Sequence, residues 1–149
     1  MTVTLPSVEE QTAPRLRLVI ARIARQLRQN VDAPNDLSTS LVSALATVER
    51  CGPITLGELA SAERVQPPSM TRAVGKLEGR GLVRREVDTQ DRRVVRVHIT
   101  PEGRRLLQRS RTRKNALLAQ KLRTLTNDER AAIDAALPLL ERLAQDGLR

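Results

Sequence analysis

The chain has 149 residues, a formal net charge of +9 and no Phe, Tyr or Trp. Its single Cys and single His exclude an internal disulfide and a zinc set of His and Cys ligands, and the missing aromatics exclude base stacking on aromatic platforms. No apolar run approaches the ~18 residues of a membrane span and the N-terminus is polar and acidic, so neither a membrane segment nor a signal peptide is expected, and the chain is read as cytoplasmic.

Thr12 is expected to N-cap a first helix, with Pro14 in its first turn. Leu16, Val19, Ile20, Ile23 and Leu27 follow at helical spacing, and Asn30 to Asp36, with Pro34, ends that helix. Ser38 opens a second helix carrying Leu41, Leu45 and Val48, closed by Gly52 and Pro53. Thr55-Leu-Gly-Glu58 has the form of a capping box and opens a short helix from Leu56 to Glu63. A turn over Arg64 to Pro67 leads into a helix from about Pro67 to Arg80, ended by Gly81. Two helices this short and this tightly joined predict a helix-turn-helix.

The period then changes. Leu82 to Val87 and Val94 to Ile99 are β-branched runs joined by the polar loop Asp88-Thr-Gln-Asp-Arg-Arg93, which predicts a hairpin. Placed after a helix-turn-helix, a hairpin is a wing. Thr100-Pro101-Glu102 starts a helix running to about Arg123. Its stretch Arg109 to Asn115 holds no apolar residue and is predicted to be a solvated arm. Thr126 to Glu129 is a further capping box; it opens a last helix with Ile133, Leu137, Leu140 and Leu143 at helical spacing, which Pro138 is expected to kink or split near Asp134. The fold class is thus mainly α with a small β-hairpin wing. A winged helix-turn-helix over 37–100 is followed by an arm helix over 101–123, and helices over 13–36 and 124–149 remain for dimerisation.

Charge is uneven along this order. Residues 1–63 sum to −1, residues 64–100 to +5, residues 101–123 to +7 and residues 124–149 to −2. A basic middle between near-neutral ends is the footprint of a protein that meets nucleic acid. At about 100° per residue, Pro67, Met70, Ala73, Val74 and Leu77 form one apolar side of the second short helix. Opposite lie Pro68, Ser69, Thr71, Arg72, Gly75, Lys76 and Gly79. Small residues let a backbone approach the floor of the major groove, cations donate to guanine, and hydroxyls bond bases or phosphates. At the hairpin tip, Arg92 and Arg93 suit a narrow minor groove. Asp88 and Asp91 beside them are expected to orient the two guanidinium groups.

These motifs resemble those of a family. Gly52-Pro-Ile-Thr-Leu-Gly-Glu-Leu-Ala60, Pro68-Ser-Met-Thr-Arg72, Lys76-Leu-Glu-Gly-Arg-Gly-Leu-Val83, Asp88-Thr-Gln-Asp-Arg-Arg93 and Val97-His-Ile-Thr-Pro-Glu-Gly103 are similar to the MarR family of bacterial transcriptional regulators. The resemblance implies a winged helix-turn-helix homodimer that binds a pseudo-palindromic operator in double-stranded DNA. It implies action as a repressor and release by a small anionic or phenolic effector, with no enzymatic activity and no cofactor. By position it makes Ser69, Thr71, Arg72 and Lys76 major-groove residues and Arg93 the wing arginine, with Asp88 and Asp91 as the acidic positions. Gln90 stands where the wing pattern carries a basic residue.

The dimer contact is expected from Leu16, Val19, Ile20, Ile23 and Leu27 with Ile133, Leu137, Leu140 and Leu143. Arg109, Arg111 and Arg113 are candidates for an effector crevice, for added DNA affinity, or simply for a solvated arm. Cys51 lacks the Tyr partners of peroxide-sensing members and is read as a structural thiol; the lone His98 cannot make a metal site. The alternative function is a winged-helix module that binds protein, or DNA without sequence preference.

Overall fold

The computed structural model describes residues 7–29 and 37–145, and the chain forms two compact units, one through Thr112 and one from Arg113. The first helix, α1 (Val8–Gln29), starts earlier than Thr12. Ser7 and Glu10 form a reciprocal cap: the Glu10 amide donates to Ser7 Oγ at 3.2 Å and the Ser7 amide donates to Glu10 Oε2 at 2.8 Å. Thr12 has no acid three residues on, so it cannot close such a box. Pro14 therefore lies inside the helix, where it leaves the exposed Glu10 carbonyl to solvent. The expected break over residues 30–36 lies outside the described residues.

The lobe follows the predicted order. It comprises α2 (Thr39–Cys51), β1 (Ile54–Thr55), α3 (Leu56–Ala62), α4 (Pro67–Gly79), β2 (Val83–Val87), β3 (Val95–Ile99) and the start of α5 (Pro101–Leu122). Ser38 caps α2, and Thr55 with Glu58 closes the capping box of α3. The turn between α3 and α4 is made by Arg64 at φ 54°. It is braced by Glu63, whose carboxylate accepts the Thr47 and Ser43 hydroxyls of α2 at 2.6 and 2.7 Å.

The sheet holds one strand more than the hairpin. β1 joins it in the order β1-β3-β2, all antiparallel, with Ile54 opposite Val97 and Thr55 opposite Arg96. Two residues show no period, so only the tertiary pairing reveals this strand. In the wing, Val83, Arg85 and Val87 face Ile99, Val97 and Val95; on the alternate positions, Arg84 and Glu86 face His98 and Arg96.

The lobe core is entirely aliphatic apart from Met70, with Leu45, Leu59, Leu77 and Leu106 as its largest fully buried side chains. Two glycines are needed at its joint with α5. Gly81 takes φ +69° to turn the chain out of α4. At Gly103 a Cβ would stand 2.3 Å from the Leu82 carbonyl oxygen, so only glycine lets α5 lie against the backbone that leads into β2. Thr100 holds both sides: its hydroxyl donates to the Gly81 carbonyl at 2.6 Å and accepts the Gly103 amide at 3.1 Å.

In the unit from Arg113, α5 ends at Leu122 and α6 (Asn127–Gln145) follows. Thr126 and Glu129 close the expected capping box. Pro138 does not split α6, which is one helix. It removes a single hydrogen bond, to the carbonyl of Asp134, and that residue is exposed, so the lost bond leaves no buried acceptor. Among the described residues, no helix is long and apolar enough to cross a membrane.

Candidate nucleic-acid interface

α4 presents the two faces expected of it. Met70, Val74 and Leu77 are buried, while Pro68, Ser69, Thr71, Arg72, Gly75, Lys76 and Gly79 are exposed or nearly so. Pro67 departs from the predicted apolar side: it sits at the first position of the helix and is exposed, where its fixed φ and absent amide suit a helix start. The Thr71 hydroxyl donates to the Pro67 carbonyl at 3.0 Å, so it is turned onto its own helix. Ser69, Thr71, Arg72 and Lys76 are the exposed polar groups of that face, and the Thr71 oxygen keeps its capacity to accept.

Arg85 of β2 carries no signal of its own in the sequence, yet it ties the wing to α4. Its backbone amide donates to Glu78 Oε1 at 3.1 Å, its Nε lies 3.3 Å from Glu78 Oε2, and its Nη2 donates to the Thr71 carbonyl at 3.5 Å. The guanidinium passes over Gly75, where a Cβ would come within 3.6 Å of it.

The wing differs from expectation in what its acids do. Asp88 and Asp91 do not orient the Arg92 and Arg93 guanidinium groups. Asp88 Oδ1 accepts the Gln90 and Asp91 amides at 2.8 and 3.2 Å, and its Oδ2 accepts Arg96 Nε at 2.6 Å. Asp91 Oδ1 accepts the Arg93 amide at 3.0 Å. A carboxylate in a six-residue loop meets free amides first, because they are nearer than the ends of long side chains. Arg96 followed by these amides holds the Asp88 carboxyl down at about 2. Arg92 and Arg93 are exposed and meet no carboxylate among the described residues. Gln90 serves the turn through its backbone, which any residue type supplies.

The α5 arginines are partly engaged. Arg109 and Arg105 both reach Glu102 at 3.0 Å, and these bonds, Arg109 first, hold its carboxyl below the usual range. Arg111 pairs with Glu49 of α2. Arg113 is exposed. A cavity of about 280 Å³ lies within the lobe surface, lined by Arg84, His98, Arg104 and Glu49 with apolar residues between them. His98 faces Glu86 at 3.4 Å, Cys51 is exposed at the end of α2, and no group of three metal-ligating side chains occurs among the described residues.

The helix-turn-helix and hairpin coincide with a family match: the MarR family model covers residues 37–95. A solved transcriptional-regulator structure from Pseudomonas aeruginosa is 34% identical, with a TM-score of 0.83 over 94% of this chain and 99% of that one. The chain belongs to the MarR family. An HTH-type transcriptional regulator from Mycobacterium leprae is 44% identical over 86 residues, 57% of this chain and 59% of that protein. The chain thus spans less than two thirds of the curated relatives it matches. A MepR variant from Staphylococcus aureus, solved bound to an oligodeoxyribonucleotide, shares the fold at 18% identity, with a TM-score of 0.70 over 90% of this chain and 98% of that one. MarR-family proteins are transcriptional regulators, and the winged helix seen here is their fold. Within the MarR-family match lie every α4 and wing residue predicted from sequence, together with Arg85.

Proposed function

We propose that this MarR-family protein is a homodimeric regulator that binds a pseudo-palindromic operator in double-stranded DNA, in the cytoplasm, and represses transcription. The observation that carries the proposal is the division of α4. One side is core, and the other offers Ser69, Arg72 and Lys76 among glycines and prolines to whatever approaches. In this reading α4 enters the major groove, with Arg72 and Lys76 donating to guanine O6 and N7 and Ser69 to a base edge or phosphate. Pro68 leaves room for the backbone at the groove floor. The exposed Arg92 and Arg93 enter a flanking minor groove.

Residues 37–100 are then the DNA-binding lobe and 101–123 the connecting arm. The regions 13–36 and 124–149, through the helices α1 and α6, form the dimer contact. Support for that contact is chemical. Val19, Ile20 and Ile23 of α1 and Ile133, Leu137, Leu140 and Leu143 of α6 are 39–65% exposed, which a lone chain in water disfavours. Leu16 and Leu27 lie on α1 with them and are half-buried. An anionic or aromatic effector that engaged the arm would have to draw Arg109 and Arg111 from Glu102 and Glu49; Arg113 is the candidate without a carboxylate partner among the described residues.

Selection from a random duplex pool followed by footprinting tests the reading. A palindrome with half-sites about one helical turn apart is expected, and Arg72→Ala should weaken its selection and relax the preference at one base. Enrichment of no sequence would leave the alternative, a module that binds protein or DNA without an operator.

A further inference from the structure

We infer that Arg96, a strand residue outside the wing loop, is the positioning residue that sets the wing tip for DNA. This rests on the wing reading above. Arg96 lies directly opposite Glu86 in the β2–β3 register, but Glu86 is taken: Arg84 Nη1 reaches its Oε2 at 2.5 Å and His98 Nε2 approaches the same oxygen at 3.4 Å. The Arg96 guanidinium instead runs diagonally to Asp88, Nε to Oδ2 at 2.6 Å. Diagonal neighbours on one face of an antiparallel pair are within reach of a long side chain.

What Asp88 then holds is the turn itself. Its other oxygen accepts the Gln90 and Asp91 amides, and Asp91 in turn accepts the Arg93 amide. A continuous series of charge-assisted bonds therefore runs from a residue fixed in the sheet to the backbone of the arginine at the tip. The other end of Arg96 is anchored too. It pairs across β3–β1 with Thr55, whose amide and hydroxyl bind Glu58 in the cap of α3, and the Glu58 charge attracts the guanidinium. Exposed ion pairs contribute little on average. Here, however, the Asp88 side chain is only 15% exposed and is bonded through both oxygens, so its orientation is decided by its partners. Arg96 thus sits in the strand that pairs with Thr55 at the start of the helix-turn-helix, and its guanidinium bonds the loop that carries Arg92 and Arg93.

The slope of log affinity against log salt reads the phosphates neutralised and is insensitive to a role in folding alone. It is measured on a duplex selected by the protein from a random pool and on a mixed-sequence duplex. Arg92→Ala/Arg93→Ala should lower the slope by about one for each phosphate no longer neutralised. Arg96→Gln should lower it as much although it touches no DNA, and adding Arg96→Gln to the double variant should lower it no further. The backbone amide resonances of Gln90 and Asp91 should shift in Arg96→Gln without DNA. Arg96→Lys keeps the charge but not the planar fork; it should give an intermediate slope, and it serves if Arg96→Gln does not fold. A wild-type slope in Arg96→Gln, or a triple variant whose loss is the sum of the two, overturns the inference and leaves the wing reading intact. An unchanged slope in Arg92→Ala/Arg93→Ala overturns both.

Discussion

The lobe and the terminal helices answer the same hydrophobic pattern in opposite ways. In the lobe, apolar residues at helical and strand spacing find partners within the chain: Leu45, Leu59, Leu77 and Val97 are fully buried. α1 and α6 carry equally regular stripes, yet among their described residues none is buried. An amphipathic stripe specifies that a face be covered; it does not say by what. The lobe closes its own core, whereas the stripes of α1 and α6 stay exposed in a single chain and are covered, in the proposed dimer, by a second copy.

Several substitutions would break or sharpen that contrast. Leu45→Ala leaves a cavity in a core already closed, and should cost about 2–5 kcal/mol in chemical unfolding. Gly103→Ala drives a Cβ into the Leu82 carbonyl at 2.3 Å and should cost about 1–3 kcal/mol, as overpacking does; an unchanged midpoint would mean that α5 can move off the sheet. Arg72→Ala should weaken operator binding by about 1–3 kcal/mol in a salt-controlled titration, with relaxed preference at one base. Thr55→Ala removes the α3 cap and should cost about 1 kcal/mol. Ile23→Asp with Leu140→Asp should change unfolding of the lobe least, by under about 0.5 kcal/mol, while shifting sedimentation from dimer to monomer. A protein already monomeric at micromolar concentration would remove the contrast altogether.

Acid offers a gentler probe of the wing. Asp88 is depressed to about 2 in the folded chain. A depressed carboxyl contributes stability above its unfolded value and loses it as pH falls through the folded one. The turn should therefore stay locked at neutral and mildly acidic pH. The Gln90 and Asp91 amides should lose protection only as pH falls from about 4 towards 2, observable by NMR.

Much of the fold was legible in the chain because its signals are local. The caps at Ser38, Thr55, Thr100 and Thr126 are read over three or four residues, and each stands where expected. The two-sidedness of α4 follows from its period alone, so its buried Met70, Val74 and Leu77 and its exposed Arg72 and Lys76 could be assigned before any packing was known. Local signals also account for an error: Ser7 and Glu10 were there to be read as the α1 cap, and Thr12 with Pro14 competed with them.

Composition, period and capping thus determined the order of the helices and of the hairpin, the lobe core and the outward side of α4, because each depends on neighbours close in sequence. The tertiary structure alone decided three things. It added β1, whose two residues take strand form only through pairing with β3. It gave Asp88 to Arg96 and the loop amides instead of to the tip arginines. It set Arg85 across Gly75 onto Glu78. In each case the choice is between charged or polar groups equally able to bond, and it is settled by which of them the packing of strands and helices brings within about 3 Å of the other, a distance that no spacing along the chain encodes.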